Sequence, residues 1–481
     1  MSRGNTPTNR PNRNSVPDYS GLRAQARDGA PLFSERVIKS VDYVKIDDVH
    51  GYRGNARTHS KRQLDLLQRN IEANGFVIPI IIDDEGTIIA GHARVFAAKK
   101  LGMSHVPAIR LTHLSPAQVR AFRIAENKLA SLAEWDHEAL AVEFQGLVEL
   151  SFDLSLTGFE MPEIDHTIET HAASVGMVPE NLIEGAAPGL PTTRLGDLYV
   201  LDEHRVLCAD ARARVSYQVL LRDRVVQLMW TDPPWNVAIS GHVGGNGKIQ
   251  HPEFVMASGE MSDEEFEQFL RDFIRNATEF SADGSVHYIA IDWRHVDVVM
   301  KTAKEHYGLH LNTAIWVKSA PGLGSFLRSQ HEMITIFKVG NGPQLNHVQM
   351  GRLRNRSNVW RYEGANSINP ARRAELALHP TTKPVEMIAE CLRDASNRGG
   401  IILDPFAGAG STLIACEVTG RVCRTMELDP RYVDVVVRRW QKFTGRRAVH
   451  ADTGLTFDEL TRARSETPLL LPPTLDHEGG A

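Results

Sequence analysis

The apolar run VVQLMW, residues 225–230, breaks off into Thr231-Asp232-Pro233-Pro234-Trp235-Asn236. Two adjacent prolines cannot continue a sheet, because each lacks the N–H that a ladder needs. The ring-locked backbone fixes a carboxylate and a prolyl carbonyl beside an indole. Both oxygens accept hydrogen bonds, and the aromatic offers a flat apolar face. A proline-rich turn with a core Trp is the competing reading of these four residues taken alone.

A second group of residues lies in ILDPFAGAGSTLIA. Ile401 to Leu403 predict a strand that ends at Asp404, and Ser411 and Thr412 open a helix. Between them Gly408 and Gly410 remove side chains where a ligand has to approach the backbone. The spacing is not G-x-x-x-x-G-K-[ST] and no Lys follows, so a triphosphate cradle fits poorly. It is not G-x-G-x-x-G either, because Leu413 stands three residues beyond Gly410. The next strand, VCRTME, ends in Glu427, whose carboxylate can accept both hydroxyls of a ribose. Turn and acid together point to a nucleoside cofactor with no phosphate chain; glycines serving only strand–helix packing are the bland alternative.

These residues need a frame. From about 193 onward strands alternate with helices: RVLCAD, SYQVLLRD, VVQLMWTD, the amphipathic SDEEFEQFLRDFIRNATEF, then VHYIAID, TAIWVK and EMITIFKVG. That order predicts a doubly wound α/β domain with a mostly parallel sheet, in which ligands sit outside the carboxyl ends of the strands. Ahead of it, about 37–165 reads as a smaller α+β region. Its first helix, SKRQLDLLQRNIEANG, carries Ser60 and Gln63 at capping-box spacing. The strands FVIPIIID, TIIAG and VPAIRL follow, with the helix GHARVFAAKKLG among them, and SPAQVRAFRIAENKLASLAEWD reads as helical throughout. Residues 1–36 read as disordered, 166–192 as a linker and 464–481 as a loose tail, leaving 193–463 for the large domain.

Composition excludes several classes. With 481 residues, 42% of them hydrophobic and 23% charged, the chain reads as a multidomain globular protein. No apolar run approaches the roughly 20 residues of a membrane span, and the polar N-terminus is no secretory signal. Four scattered cysteines, with no C-x-x-C, argue against a disulfide framework or a thiolate zinc site and favour the cytoplasm. A net charge of −5 confines any nucleic-acid contact to a local basic surface.

The rear region resembles the S-adenosylmethionine-dependent DNA amino-methyltransferases. DPFAGAGST looks like their cofactor loop, MELDP like the acidic strand end after it, HPTTKPVEMIAECL (379–392) like the segment preceding the loop, and DPPW like their catalytic corner. Four motifs in this order, corner first and loop last, match the permuted beta group and imply a Rossmann-like domain. The strands ending in Asp404, Glu427, Asp210 and Asp232 can then lie consecutively in one sheet. The resemblance assigns Asp404, Phe406, Gly408, Gly410, Thr412, Glu427 and Lys383 to the cofactor. Asp210 would reach its adenine, or else serve as a helix N-cap. It assigns catalysis to Asp232, Pro233, Pro234 and Trp235. An exocyclic amine is a poor nucleophile, because its lone pair is delocalised into the ring. Asp232 accepting one N–H and the Pro233 carbonyl the other favour a pyramidal nitrogen facing the methyl group. Trp235 would stack on a base taken out of the duplex, with Asn236 assisting at the edge. Asp at the first motif position favours adenine N6, with cytosine N4 as the alternative.

Between corner and loop, residues 350–383 carry Arg352, Arg354, Arg356, Arg361, Arg372, Arg373 and Lys383 around Trp360 and Tyr362, opposed by Glu363 and Glu375. Phosphate contact and base readout on double-stranded DNA are the sharp interpretation, and a solvated charged face the bland one. The glycine-rich SGHVGGNGKIQHPEF reads as a loop that closes on the flipped base. Its His242 and His251 lack a third ligand, so no metal is expected there. The front region resembles the N-terminal nucleotide-binding domain of the ParB/sulfiredoxin-like family. Gly91, Arg94 and Ala97 fit its G-E-R-R-x-R-A pattern, whereas His92 replaces the acid and Phe96 an Arg, which counts against CTP chemistry. Arg94 near the start of GHARVFAAKKLG leaves an anion site open there, and docking or DNA contact without nucleotide chemistry is the other reading. A nucleoid-associated site-specific methyltransferase, compatible with a homodimer and with a restriction–modification setting, is the reading that results. Its non-enzymatic rival is a ParB-like DNA-binding or partition module.

Overall fold

The computed structural model describes residues 40–150, 152–173, 190–236, 259–319, 321, 326–348, 355–362 and 383–466. They fall into two compact units that divide between Trp135 and Asp136.

The first unit holds β1 (Asp42–Lys45), α1 (Lys61–Asn74), β2 (Ile80–Ile82), β3 (Ile88–Ala90), α2 (His92–Lys100), β4 (His105–Arg110) and α3 (Pro116–Ala130). Its sheet order is β1-β4-β2-β3, with β2 and β4 parallel and the outer pairs antiparallel. Ile46, Ile80, Ile82, Ile88, Val95 and Val106 form its core. At α1 the Ser60 hydroxyl accepts from the Gln63 N–H at 3.1 Å. The expected reciprocal bond is not formed, because the Gln63 amide oxygen meets His59 Nδ1 at 3.1 Å instead. The full capping box occurs at α3, between Ser115 and Gln118. That helix stops at Ala130, short of the Asp136 that the sequence suggested. There Asp136 caps a new helix, its carboxylate accepting from Ala139 N at 3.1 Å.

The second unit begins with α4 (His137–Glu149) and α5 (Met161–Ala173), packed on each other through Phe144, Leu154, Ile164 and Ile168. Then come β5 (Leu198–Leu201), β6 (His204–Cys208), α6 (Arg214–Leu221), β7 (Val226–Thr231), α7 (Asp263–Glu279), β8 (Ser281–Ile291), α8 (Val296–Ala303), β9 (Leu309–Val317), β10 (His331–Lys338) and β11 (Val359–Arg361). The chain continues through α9 (Val385–Ala395), β12 (Ile401–Asp404), α10 (Ser411–Thr419), β13 (Val422–Glu427), α11 (Pro430–Thr444), β14 (Val449–His450) and α12 (Phe457–Glu466). One ten-stranded sheet runs β11-β9-β10-β8-β7-β12-β13-β6-β5-β14. Its centre, β8-β7-β12-β13-β6, is parallel throughout. Antiparallel strands flank the centre on both sides.

Side chains alternate between two cores, as strand geometry requires. Leu228, Trp230, Tyr288 and Ile402 face α9, α10 and α11. Met229, Ile289, Ile401 and Leu403 face α6, α7 and α8. The sheet is thus doubly wound. Among the described residues no helix is long and apolar enough to cross a membrane.

Helix α5 departs from the expected organisation, because part of the proposed linker is helical and belongs to the large unit. Asp165 takes a two-pronged bond from the Arg421 guanidinium, both contacts at 2.9 Å, and a further ion pair from Arg398 at 2.8 Å. Arg393 reaches Glu169 at 2.8 Å. Asp165 and Arg421 are both buried, so α5 is fixed to the large domain by charges that no hydrophobic period reveals.

Candidate functional site

Four acids stand at the carboxyl ends of four consecutive parallel strands: Asp232 after β7, Asp404 on β12, Glu427 on β13 and Asp210 after β6. The four strands lie consecutively, as expected from sequence, with the Asp232 strand beside that of Asp404. Adjacent parallel strands put these ends beside the turn that opens α10.

In that turn Gly408 has φ 51° and Gly410 φ 80°, both in the left-handed region where a side chain is strained. A Cβ on Gly410 would also lie 3.1 Å from Val436 of α11, so this glycine seats two helices together. The Gly408 N–H donates to one Glu427 oxygen and the Asp429 N–H to the other, each at 3.0 Å. Burial outweighs those donors and pushes the Glu427 carboxyl up to about 7. Asp404 is wholly enclosed. It accepts from Thr412 at 2.5 Å, Thr231 at 3.0 Å and the Phe406 N–H at 3.1 Å. Burial again raises it, to about 7.

Thr412 is therefore a support for Asp404, itself buried. Phe406 packs edge-on to Phe273, with ring centres 5.1 Å apart. Of the residues assigned to a cofactor from sequence, Gly408 and Glu427 are joined by a hydrogen bond, Thr412 bonds Asp404, and Gly410 packs on α11. Asp210 stands on the neighbouring strand end. Its carboxylate takes a fork from Arg212, the shortest contact 2.7 Å, and accepts from the Arg212 N–H as a turn cap.

The corner is more crowded than the sequence suggested. Lys383, just ahead of α9, is buried, and its ammonium bonds one Asp232 oxygen. The same ammonium lies 3.3 Å from Glu332 and 5.0 Å above the centre of the Trp235 ring. Lys318 closes the group on the far side, 2.6 Å from the other Glu332 oxygen. Lys383, assigned to the cofactor from sequence, is bonded here to Asp232 of the Pro-Pro corner. The second Asp232 oxygen is buried with no hydrogen-bond partner among the described residues. Burial drives Asp232 up, Lys383 pulls it back, Glu332 pushes it up again, and it comes to about 6. Glu332 feels the same burial, but Lys383 and Lys318 win there and hold it below its ordinary range. Burial works against the Lys383 charge too, and the two carboxylates outweigh it.

Glu332 and Lys318 went unseen in the sequence. Strand β10 runs antiparallel to β8, so its first residues meet the end of β8, with Met333 opposite Ile291. Strand β9 is antiparallel to β10, which returns Lys318 to the same rim. A lone acid at the start of the apolar EMITIF was the one available signal. Trp293 was also missed; it is half exposed beyond the end of β8, with Arg294 4.7 Å from its ring centre.

Other assignments fare differently. Asn236 does not face an open edge: its amide donates to the Met261 carbonyl at 2.8 Å and accepts from the Gly259 and Met261 N–H groups. It ties the chain ahead of α7 to the corner. Arg356 is not free for phosphate, since it is ion-paired with Asp394 and stacked 4.7 Å from the Trp360 ring centre. Trp360 itself is buried. Arg361 is exposed on β11, the edge strand. Arg352, Arg354, Arg372, Arg373, His242 and His251 lie outside the described residues.

Comparison with known proteins matches three family descriptions along the chain. Residues 34–129 match a ParB N-terminal domain, 138–194 a ParB-methyltransferase HTH domain, and 226–438 a DNA methylase of the N6/N4 type. The ParB-like nuclease domain-containing protein YnaK of Escherichia coli is 43% identical over 76 residues, 16% of this chain and 87% of the relative. Type II methyltransferase M.HpaI of Haemophilus parainfluenzae is 21% identical over 252 residues, 49% of this chain and 74% of the relative. Among solved structures, PvuII DNA methyltransferase (cytosine-N4-specific) aligns at a TM-score of 0.39 with 13% identity, over 57% of this chain and 94% of that one.

Proposed function

Because the chain belongs to the N6/N4 DNA methylase family and carries ParB-type domains ahead of that region, we propose that it methylates the N6 amine of adenine in double-stranded DNA, with S-adenosylmethionine as donor. One observation carries the reading: a buried Asp232 oxygen without a partner, on a backbone fixed by two prolines, at the strand end beside the glycine turn. That oxygen and the Pro233 carbonyl are acceptors for the two N–H bonds of an exocyclic amine. Holding both on one side directs the nitrogen lone pair away from them.

The residues present fit the donor. Glu427 is a half-buried acid whose oxygens are held by backbone N–H groups, with lone pairs to spare for ribose hydroxyls. Gly408 leaves its backbone open to a ligand. When bound, the donor supplies a methyl group already activated on a sulfonium. Trp235 offers the flipped base a face once the ammonium above it has moved. Burial of the corner excludes water from the amine.

Asp in place of Ser at the first corner position is what favours adenine. The test is incubation of duplex DNA with the protein and methyl-labelled donor, followed by digestion to nucleosides. Label in N6-methyladenine is the expected result. Label in N4-methylcytosine would move the reaction to the other base.

A further inference from the structure

Lys383 crowds the place that the target base needs. Its ammonium bonds the Asp232 oxygen next to the unpartnered one and stands over the Trp235 ring, while its second carboxylate neighbour, Glu332, is already within 3.3 Å. We propose that Lys383 is a movable counter-ion, and that Glu332 is the seat to which it withdraws when a base enters. On this account Lys383 and Glu332 are positioning residues for the methyl transfer; the inference rests on the methyltransferase reading above.

Three features support the exchange. The side chain is a compact ammonium on a flexible stem, able to change partners with a small rotation. Glu332 stays in place, because its other oxygen is held by Lys318 at 2.6 Å. Movement between two buried carboxylates also keeps the ammonium paired at every stage. An ammonium left buried with no carboxylate beside it would be far costlier. Lys383 pairs one Asp232 oxygen and leaves the other for an N–H donor of the right shape.

Four charged groups face Asp232: Lys383 ahead of α9, Glu332 on β10, Lys318 after β9 and Asp404 on β12. Asp232 must be ionised to accept the amine, so activity falls as pH drops through its pKa. Glu332 raises that pKa and Lys383 lowers it. The two groups therefore make opposite predictions.

The experiment is single-turnover methylation of duplex DNA by the full-length protein, at saturating donor, from pH 5 to 9. In Glu332→Gln the acid limb should move down by roughly one pH unit, and in Lys383→Met up by about as much. Glu332→Gln should also raise the DNA concentration needed for half-maximal rate, because the lysine has lost its second seat. Glu332→Asp, which keeps the charge, should return the limb to its wild-type position, as damage to folding alone would not. Limbs that stay in place while the rates merely scale would overturn the inference, and so would shifts in the same direction. Absence of transfer by the wild type at every pH would overturn the functional reading instead, and the inference with it.

Discussion

Asp404 and Asp232 stand at neighbouring strand ends, and their surroundings treat them differently. Asp404 is met by hydroxyls and one N–H but by no cation, so burial raises it to about 7. A carboxyl whose folded pKa lies above its unfolded value holds its proton longer in the fold. Its contribution is fully present below the unfolded pKa near 3.8 and is lost as pH rises through about 7. Asp404→Asn has no such dependence, and an amide oxygen can still accept from Thr231 and Phe406. We expect the variant to gain on the wild type between pH 4 and 7.5, on the order of 2 kcal/mol. Denaturant titrations across that range would show it; parallel stability curves would contradict it. Much of this scale was legible beforehand. Asp232, Glu427 and the two glycines declare themselves through short, local patterns. Lys383 does not, because its partner Asp232 is 151 residues away and only the folded sheet brings them together. Arg356 misled for a related reason: its charge looked available until Asp394, on a helix 38 residues downstream, took it up.

At the scale of elements, alternation of strand and helix predicted the doubly wound sheet, because the central strands are apolar and helices such as α7, α9 and α11 carry a marked apolar stripe, while α10 is buried nearly all round. The antiparallel return of β9 and β10 was not legible, and with it went the Lys318–Glu332 pair. The role of α5 was hidden as well, since its attachment is ionic. Asp165→Ala would leave the buried Arg421 without its carboxylate and Arg398 with only Glu169, 3.9 Å away. A loss of about 3–5 kcal/mol is expected. Hydrogen exchange should speed up first along residues 137–173. Unchanged protection there would show that the helical pair is held by its apolar contacts alone.

For the whole molecule, every residue of the corner and of the glycine turn comes from the unit 136–481, whereas the first unit has a core of its own. A chain lacking residues 1–135 should therefore still bind donor and transfer methyl groups; loss of donor binding on truncation would contradict that division. Of the two front matches, only the ParB N-terminal one at 34–129 is removed by that truncation; if it serves DNA contact, the shortened chain should bind DNA more weakly. Whether Asp232 receives the target amine is decided by quantifying labelled methyl transfer to duplex DNA by Asp232→Ala and wild type at equal donor occupancy. We predict that the variant binds donor as the wild type does and that its transfer falls by at least about a hundredfold. Near-normal transfer by the variant would contradict the account.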